Sequence, residues 1–375
     1  MQTFTLPPID HCIIPDEFSV FTGDINAIEV VEAQTSPREI LTRLAAGASI
    51  LLTGEYRYID AVYRYCQHHE RELVGADTVK SVTDPFQRLA ALTRERRRKL
   101  HHLLVAVRGD TLLQVTDAPE TRGLGAWLQE STGDQTFLIP VRRLQRILTD
   151  MRRAHEGLTI DGLEGKITIR PHVYVPADAS VPRMLFAYQH LLTGKRALDM
   201  GTGTGVLALL AAQFGASHVV ATDINPHAVD NAHENVNRFG VGDKVIVKNA
   251  ANLFDAVQGE RFDVILFNAP WVEGQPRTIY DRALFDPGYR VLTQFLTDAP
   301  EHLVEGGAIL LQFSDASALR GRGSGETGLS TLYRTIEANR LRIVSQETIT
   351  RRSRAIGSQE RVFLFEIRLN EMERE

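Results

Sequence analysis

The chain has 375 residues, more than one hydrophobic core usually organises, so its length favours two domains over one. Hydrophobic residues make up 43% and charged residues 24% of the chain, and this ordinary balance excludes a disordered or fibrous protein. The net charge of -5 excludes an overall positive field for nucleic acid, although a local basic patch can still provide one.

Cysteine content and hydropathy indicate the compartment. The chain contains two cysteines, Cys12 and Cys66, which are too few for a disulfide framework and favour a reducing compartment. The first residues show no basic segment followed by an apolar one, and the longest apolar stretch, 206–212, is far shorter than the roughly 20 residues that span a bilayer. The sequence therefore predicts a cytoplasmic protein with no membrane partner, and it indicates no oligomeric state.

The first part of the chain predicts a separate domain. Short apolar segments at 50–52 and 103–107 are typical of strands, whereas 56–70 and 141–153 have the apolar spacing of helices. We therefore predict an N-terminal α+β domain over residues 1–160. This domain selects the substrate or has an accessory role.

A basic stretch lies within this first domain. Residues 94–153 contain 12 basic and 7 acidic side chains, although the chain as a whole is acidic. One interpretation is a docking surface for RNA or for an acidic substrate. The other is the solvated face of two helices, whose charge the flanking sequence compensates.

Strand and helix patterns alternate from residue 161 to residue 375. An alternating strand is predicted over 166–175, and apolar strands follow at 197–200, 218–222, 244–247, 263–267, 308–313, 342–349 and 362–367. Helical stretches separate most of them, but the last two strands follow each other directly. We therefore predict an α/β domain with a largely parallel sheet and a terminal antiparallel hairpin.

A glycine-rich loop follows the first apolar strand of this domain. Asp199 lies near the end of the strand, and Gly201, Gly203 and Gly205 alternate with threonines before an apolar helix. Glycine permits a tight turn and a close approach of the backbone to a ligand. The spacing is not the G-x-G-x-x-G of a pyrophosphate loop, and the acid before the first glycine favours a ligand with an ammonium group.

Polar side chains also end the next strands. Asp223 can accept hydrogen bonds from both hydroxyls of a ribose, and Asn225 and Pro226 predict the N-cap and first residue of a helix. The fourth strand ends in Asn268, followed by an alanine, a proline and Trp271. Because ligands of open α/β sheets bind at the carboxyl ends of the strands, these residues predict one site.

These segments, in this order, resemble the class I S-adenosylmethionine-dependent methyltransferases. Within that class they look like the small-domain amino-methyltransferases, which include protein-glutamine and ribosomal RNA guanine-N2 enzymes. The resemblance covers residues 165–375 and includes the upstream segment 172–176. It implies a Rossmann-like seven-stranded methyltransferase sheet with a terminal antiparallel hairpin, and S-adenosyl-L-methionine as the cofactor.

The resemblance also implies roles for individual positions. Asp199 would lie near the methionine ammonium, Asp223 would hold the ribose, and Asn252 would meet the adenine amine where the family usually has aspartate. The implied cofactor-binding residues are Asp199, Gly201, Thr202, Gly203, Gly205, Asp223, Ile224, Asn252 and Asn268. The substrate candidates are Tyr174, Pro176, Trp271 and Glu273, and no metal is expected.

The implied catalytic residues are Asn268, Ala269 and Trp271. A planar NH₂ group has a delocalised lone pair and is a poor nucleophile. If Asn268 Oδ1 and the Ala269 carbonyl each accept one N–H, the nitrogen is held with its lone pair facing the methyl donor. Trp271 can stack on a planar substrate. Ala269 replaces the proline that is usual in the family, which leaves open the identity of the methylated amine.

The sequence therefore predicts transfer of a methyl group, by direct displacement, to a nitrogen of a small metabolite or of a protein side chain. Methylation of an RNA base, with RNA bound through residues 94–153, stays open. So do O-, S- or C-methylation of a small molecule, aminocarboxypropyl transfer and cyclisation. A noncatalytic cofactor-binding protein is a further alternative. The glycine spacing and the terminal hairpin disfavour an NAD(P) oxidoreductase.

Overall fold

The computed structural model shows a chain that folds into two units, Met1–Arg152 and Arg153–Glu375. Both units combine helices with sheets, which confirms the predicted mixed α/β class. The residues that the structure describes are 2–6, 9–14, 28–32, 34–75, 78, 83, 85–128, 135–174, 180–315, 327–352 and 359–370.

The first unit is built on a mixed sheet. Its strands are β1 (Gln2–Leu6), β2 (Ile9–Ile14), β3 (Ile28–Val31), β4 (Ser49–Leu52), β5 (Gly54–Glu55), β6 (Leu103–Arg108), β7 (Thr111–Leu112), β8 (Val115–Thr116) and β9 (Thr136–Pro140). Its helices are α1 (Pro37–Ala46), α2 (Tyr56–His68), α3 (Pro85–Leu100), α4 (Leu124–Leu128) and α5 (Val141–Glu156), the last of which crosses the boundary. Within the described ranges the sheet runs β1-β2-β9-β6-β4-β3, β7 pairs with β6, and β5 pairs with β8.

The second unit contains the remaining elements. Its strands are β10 (Leu158–Thr159), β11 (Lys166–Ile167), β12 (Arg196–Met200), β13 (His218–Asp223), β14 (Val245–Asn249), β15 (Phe262–Asn268), β16 (Leu303–Ser314), β17 (Leu341–Arg352) and β18 (Gln359–Leu369). Its helices are α6 (Ser180–Tyr188), α7 (Val206–Gln213), α8 (Pro226–Arg238), α9 (Arg290–Asp298) and α10 (Gly328–Ala338).

The main sheet of the second unit has the order β14-β13-β12-β15-β16-β18-β17 among the described residues. The first five strands in this order, β14, β13, β12, β15 and β16, are parallel to one another. By contrast, β18 runs antiparallel to both β16 and β17. Apolar side chains of α6, α7 and α8 cover one face, and those of α9 and α10 cover the other. Burial on both faces explains why these strands are continuously apolar in the sequence.

The start of α8 agrees with the sequence prediction. Asn225 is the N-cap, and its side chain accepts a hydrogen bond from His227 N at 3.0 Å. Pro226 is the first helical residue, where its missing N–H costs nothing. The carboxyl end of β13 is therefore joined to α8 by a short and well-defined turn.

The strand predicted over 166–175 is wrong over residues 168–174, since β11 covers Lys166–Ile167 alone; residue 175 lies outside the described residues. The alternation behind the prediction exists, because Ile169 is buried and Arg170 is exposed. However, the backbone N–H groups of Thr168 and Arg170 donate to asparagine side chains of α8, not to a neighbouring strand. A periodicity of two reports which side chains are buried, not which group accepts the backbone hydrogen bonds.

Helix length and composition also bear on membrane contact. Among the residues that the structure describes, no helix is both long enough and apolar enough to cross a bilayer.

Candidate active site

Three polar side chains lie at the carboxyl ends of neighbouring strands. Asp223 ends β13, Asp199 is the next-to-last residue of β12, and Asn268 ends β15. Asp199 is level with Ala221 in β13 and with Leu266 in β15. Because side chains alternate along a strand, Asp223 and Asn268, each two residues further on, share the sheet face of Asp199. Strand spacing and residue rise place the Cα atoms of neighbouring members about 8 Å apart.

Asp199 is fully buried, and within the described ranges only one of its carboxyl oxygens has a hydrogen-bond partner. Oδ2 accepts from Thr202 Oγ1 at 2.6 Å and from Ala208 N at 3.0 Å, which joins the glycine loop, residues 201–205, to the first turn of α7. No donor among the described residues reaches the buried Oδ1. Burial raises the pKa of Asp199 to about 7, and the two hydrogen bonds offset only part of that effect. A cationic donor at Oδ1 would complete the site.

Asp223 holds the glycine loop and keeps capacity to accept further hydrogen bonds. Its Oδ2 accepts from Gly203 N at 2.9 Å, and its Oδ1 accepts from Asn225 N at 2.8 Å. Burial raises the pKa of Asp223, and the backbone donors lower it again in part. A carboxylate has about four acceptor positions, so two hydroxyl groups can still bind. The neighbouring Ile224 is 37% exposed and offers an apolar surface to a flat ring.

The glycine loop requires residues that tolerate positive φ angles. Gly201, Gly203 and Gly205 have φ values of +66°, +55° and +86°. A Cβ atom on Gly203 would meet nothing within 4 Å, so the loop faces open space at this position. A Cβ atom on Gly205 would lie 3.4 Å from the Cα and Cβ atoms of Ala232 in α8. Thr202, between Gly201 and Gly203, is buried, and its hydroxyl donates to Asp199.

We expect Gly203→Ala and Gly205→Ala to fail in different ways. Both variants force an alanine into left-handed backbone, which costs about 1 kcal/mol of unfolding free energy in each. At Gly205 the methyl group lies in van der Waals contact with Ala232, away from the open space, so thermal unfolding should show the backbone cost and calorimetry little loss of affinity. At Gly203 it enters the open space, so calorimetry should show the larger loss of affinity for S-adenosylhomocysteine. Equal affinity losses in the two variants would contradict a ligand lying over Gly203.

Asn268 presents a second buried oxygen without a donor. Its Oδ1 has no hydrogen-bond partner within the described part of the chain. The following Ala269 and Pro270 are buried, and Trp271 is half-buried against the apolar cluster under α9. Leaving a buried carbonyl oxygen unpaired costs about 1–3 kcal/mol, so such an atom is typical of a site that a ligand completes.

The segment after Trp271 forms a closed loop. Val272 N donates to Leu284 O at 3.0 Å, and Asp286 N donates to Val272 O at 2.9 Å. The fully buried carboxylate of Asp286 accepts two backbone N–H groups in the first turn of α9, which fixes the end of the loop. Glu273 lies half-buried on this loop.

Three other predicted positions, Asn252, Tyr174 and Pro176, do not directly follow the ends of these three strands. Asn252 is exposed on the loop after β14, and Tyr174 is half-buried next to residues 175–179. Pro176 lies outside the residues that the structure describes. The structure therefore places Asp199, Asp223 and Asn268 on one face, but it gives no contact that ties Asn252 to them.

Sequence reasoning missed two fully buried asparagines of α8, Asn231 and Asn235. They occupy one helix face together with Ala228, Ala232 and Val236, which are buried. Polar residues at a spacing of four within an otherwise apolar stripe are the signal that identifies them. Their side chains bind the backbone of residues 168–170.

The arrangement fits S-adenosylmethionine on three observations. Asp199 Oδ1 is a buried acceptor suited to an ammonium group, and Asp223 can accept from ribose hydroxyls. The space over Gly203 is one that a Cβ atom would enter. Asn268 Oδ1 lies one strand further along and is left for the N–H of a second ligand.

Comparisons with known proteins agree with this arrangement. Residues 184–269 match the family model described as ribosomal protein L11 methyltransferase (PrmA). Over 164 residues, 42% of this chain, the sequence is 35% identical to a protein of Methanocaldococcus jannaschii that carries the name protein N5-glutamine methyltransferase, and it covers 79% of that protein. Over 183 residues, 43% of this chain, it is 30% identical to the ribosomal protein uL3 glutamine methyltransferase of Bordetella pertussis, of which it covers 61%.

Among solved structures, the chain is similar to a methyltransferase from Pyrococcus furiosus. The two share 22% sequence identity with a TM-score of 0.40, and the match covers 60% of this chain and 98% of the other. The identity to the Methanocaldococcus protein, over most of its length, identifies the family. The chain belongs to the S-adenosylmethionine-dependent methyltransferases, in the family that includes the protein N5-glutamine methyltransferases.

Proposed function

We propose that this enzyme methylates the side-chain amide nitrogen of a glutamine in a protein. The observation that carries the proposal is the buried Oδ1 of Asn268, which has no donor among the described residues and lies one strand from Asp199. An amide nitrogen brings the N–H group that this oxygen lacks. The two relatives described above are named for glutamine methylation, which supports the same acceptor.

The cofactor is proposed to lie along the carboxyl ends of β13, β12 and β15. Asp223 would hold the ribose, Asp199 the ammonium group and Ile224 the adenine. The loop residues Gly201, Thr202, Gly203 and Gly205 would form the floor, with Asn252 at the exocyclic amine of the adenine. The order and directions of the strands support a Rossmann-like methyltransferase sheet in which β18 and β17 form the terminal antiparallel hairpin.

The chemistry requires orientation of a weak nucleophile. S-adenosylmethionine supplies a methyl group activated by a sulfonium. Asn268 Oδ1 and the Ala269 carbonyl would accept the two N–H groups of the amide and so fix the direction of its lone pair. As the nitrogen gains positive charge, both oxygens bind its protons more strongly, which favours the transition state over the ground state. Trp271, with Glu273 and Tyr174 at the sides, would exclude water around the acceptor.

The first unit is proposed to select the acceptor. Its basic stretch, residues 94–153, contains arginines that pair along their own helices, as Arg98 does with Glu95 at 2.8 Å and Arg146 with Asp150 at 3.8 Å. These pairs reduce the net field that a phosphate backbone would meet. They favour a protein acceptor over an RNA base, and the experiment below includes RNA as an outcome.

We expect the protein to bind S-adenosylhomocysteine in calorimetry and to transfer labelled methyl groups to glutamine in a protein extract. The label should survive treatment with ribonuclease and should be recovered as N5-methylglutamine after complete proteolysis. Binding of NADH in place of S-adenosylhomocysteine would overturn the cofactor. Label in an RNA fraction, in a small metabolite or as an aminocarboxypropyl group would overturn the acceptor or the transferred group.

A further inference from the structure

We propose that Asn235 of α8 is a positioning residue that couples the cofactor loop to the segment 168–174. This inference deepens the proposed function and rests on it, because it assigns the glycine loop to the cofactor. Asn235 is fully buried, although asparagine is polar and α8 covers an apolar face of the sheet. A buried side-chain amide is expensive unless each of its hydrogen-bonding positions is used.

Every polar atom of Asn235 is used, and its partners lie on two different segments. Its Oδ1 accepts from the backbone N and the Oγ1 of Thr168, at 2.8 Å and 3.0 Å. Its Nδ2 donates to Thr168 O at 3.0 Å and to Thr204 O, in the glycine loop, at 2.9 Å. One planar group therefore fixes the distance between the loop and the segment 168–174.

Two further asparagines hold the same segment without reaching the loop. Asn231 accepts from Arg170 N at 2.9 Å and donates to Thr168 O at 3.0 Å. Asn225, the N-cap of α8, donates to His172 O at 2.9 Å. The backbone groups of alternate residues of the segment are thus bound by side chains of one helix. We name Asn225, Asn231 and Asn235 the asparagine clamp.

The asparagine clamp determines which contacts fix the position of the segment 168–174. The segment 168–174 ends at Tyr174, a candidate acceptor contact, and it turns at residues 171–173, where His172 has a φ of +64°. Among the described residues it pairs with no strand. Its position is therefore set by α8 and, through Asn235, by the glycine loop. When a ligand orders the loop, the carbonyl of Thr204 becomes a fixed acceptor, and the ordering extends through Asn235 to the segment.

Hydrogen exchange resolved to single amides tests the coupling, because two clamp contacts involve backbone N–H groups. In the parent protein, saturating S-adenosylhomocysteine should slow exchange at Arg170 N, whose acceptor is Asn231 and not Asn235. In Asn235→Ala this ligand response at Arg170 should be lost, and the affinity for S-adenosylhomocysteine should fall about tenfold, as expected for an unpaired buried carbonyl. In Asn231→Ala the response at Thr168 N should remain.

Asn237→Ala is the matched control, because Asn237 is an exposed asparagine of the same helix. It should change neither the affinity nor the exchange. An undiminished ligand response at Arg170 in Asn235→Ala would overturn the coupling while leaving the cofactor assignment intact. Absence of S-adenosylhomocysteine binding in the parent protein would overturn both. If Asn235→Ala folds poorly, Asn235→Ser, which keeps a small polar group, gives the same comparison.

Discussion

Replacing Asn268 with alanine is expected to lower kcat about 10²- to 10³-fold and to leave the affinity for S-adenosylhomocysteine within about twofold. The amide oxygen of Asn268 is the acceptor proposed to orient the attacking nitrogen, and its effect is largest when that nitrogen becomes positive. Steady-state kinetics with a methylatable protein extract and calorimetry with the cofactor product measure the two quantities. A variant with unchanged kcat would contradict the orientation mechanism.

The stability of the same variant distinguishes this role from a structural one. Because Oδ1 of Asn268 has no donor among the described residues, its removal breaks no hydrogen bond of that atom. We therefore expect thermal unfolding of Asn268→Ala at or above the temperature of the parent. Asn268→Asp, which keeps an acceptor oxygen at this position, should recover part of the lost kcat. A large fall in unfolding temperature would assign Asn268 to the fold.

Replacing Asp199 with asparagine is expected to stabilise the free protein above neutral pH and to weaken cofactor binding about 100-fold. Burial raises the pKa of Asp199 from its ordinary value of 3.8 to about 7, so the folded state favours the neutral acid. Stability from this group is therefore complete below pH 3.8, falls as the pH rises to 7, and stays low above it. This loss amounts to about 4 kcal/mol. A neutral amide avoids the loss, but its NH₂ group lacks an acceptor, which costs about 2 kcal/mol. Asp199→Asn should therefore recover about 2 kcal/mol.

The pH dependence of binding provides the second measurement for Asp199. The ionised carboxylate is the form that binds an ammonium group, so the affinity of the parent protein should rise with pH up to about 7. At higher pH the α-amino group of the ligand loses its proton, and the affinity falls again. Asp199→Asn should lose the rise below pH 7, apart from any contribution of Asp223, which is retained. A parental affinity that is constant between pH 5 and pH 7 would contradict an ammonium contact at Asp199.

The positions of three residues of the candidate site could be predicted from the sequence because these residues follow strands. Asp199, Asp223 and Asn268 each end or nearly end an apolar run, and parallel strands bring their carboxyl ends to one edge. The glycine positions were equally informative, since a backbone with positive φ selects glycine locally. The start of α8 at Asn225 followed from capping rules that involve only neighbouring residues.

The contacts between distant segments could not be predicted in this way. Nothing in residues 166–175 indicates that Thr168 and Arg170 bind side chains of a helix that begins at residue 226. The burial of Asp286 likewise depends on the return of a loop to Val272. Periodicity and capping are local properties, whereas these hydrogen bonds depend on how separate elements pack in three dimensions.

The carboxyl oxygen of Asp199 that has no donor among the described residues has a consequence for the lifetime of the enzyme in a cell. A ligand that supplies this missing donor binds the folded chain and not the unfolded one, so it shifts the folding equilibrium by mass action. Proteases remove the unfolded fraction, and that fraction grows when ligand is scarce. The steady amount of this protein should therefore follow the supply of its methyl donor, without any regulator other than the donor itself.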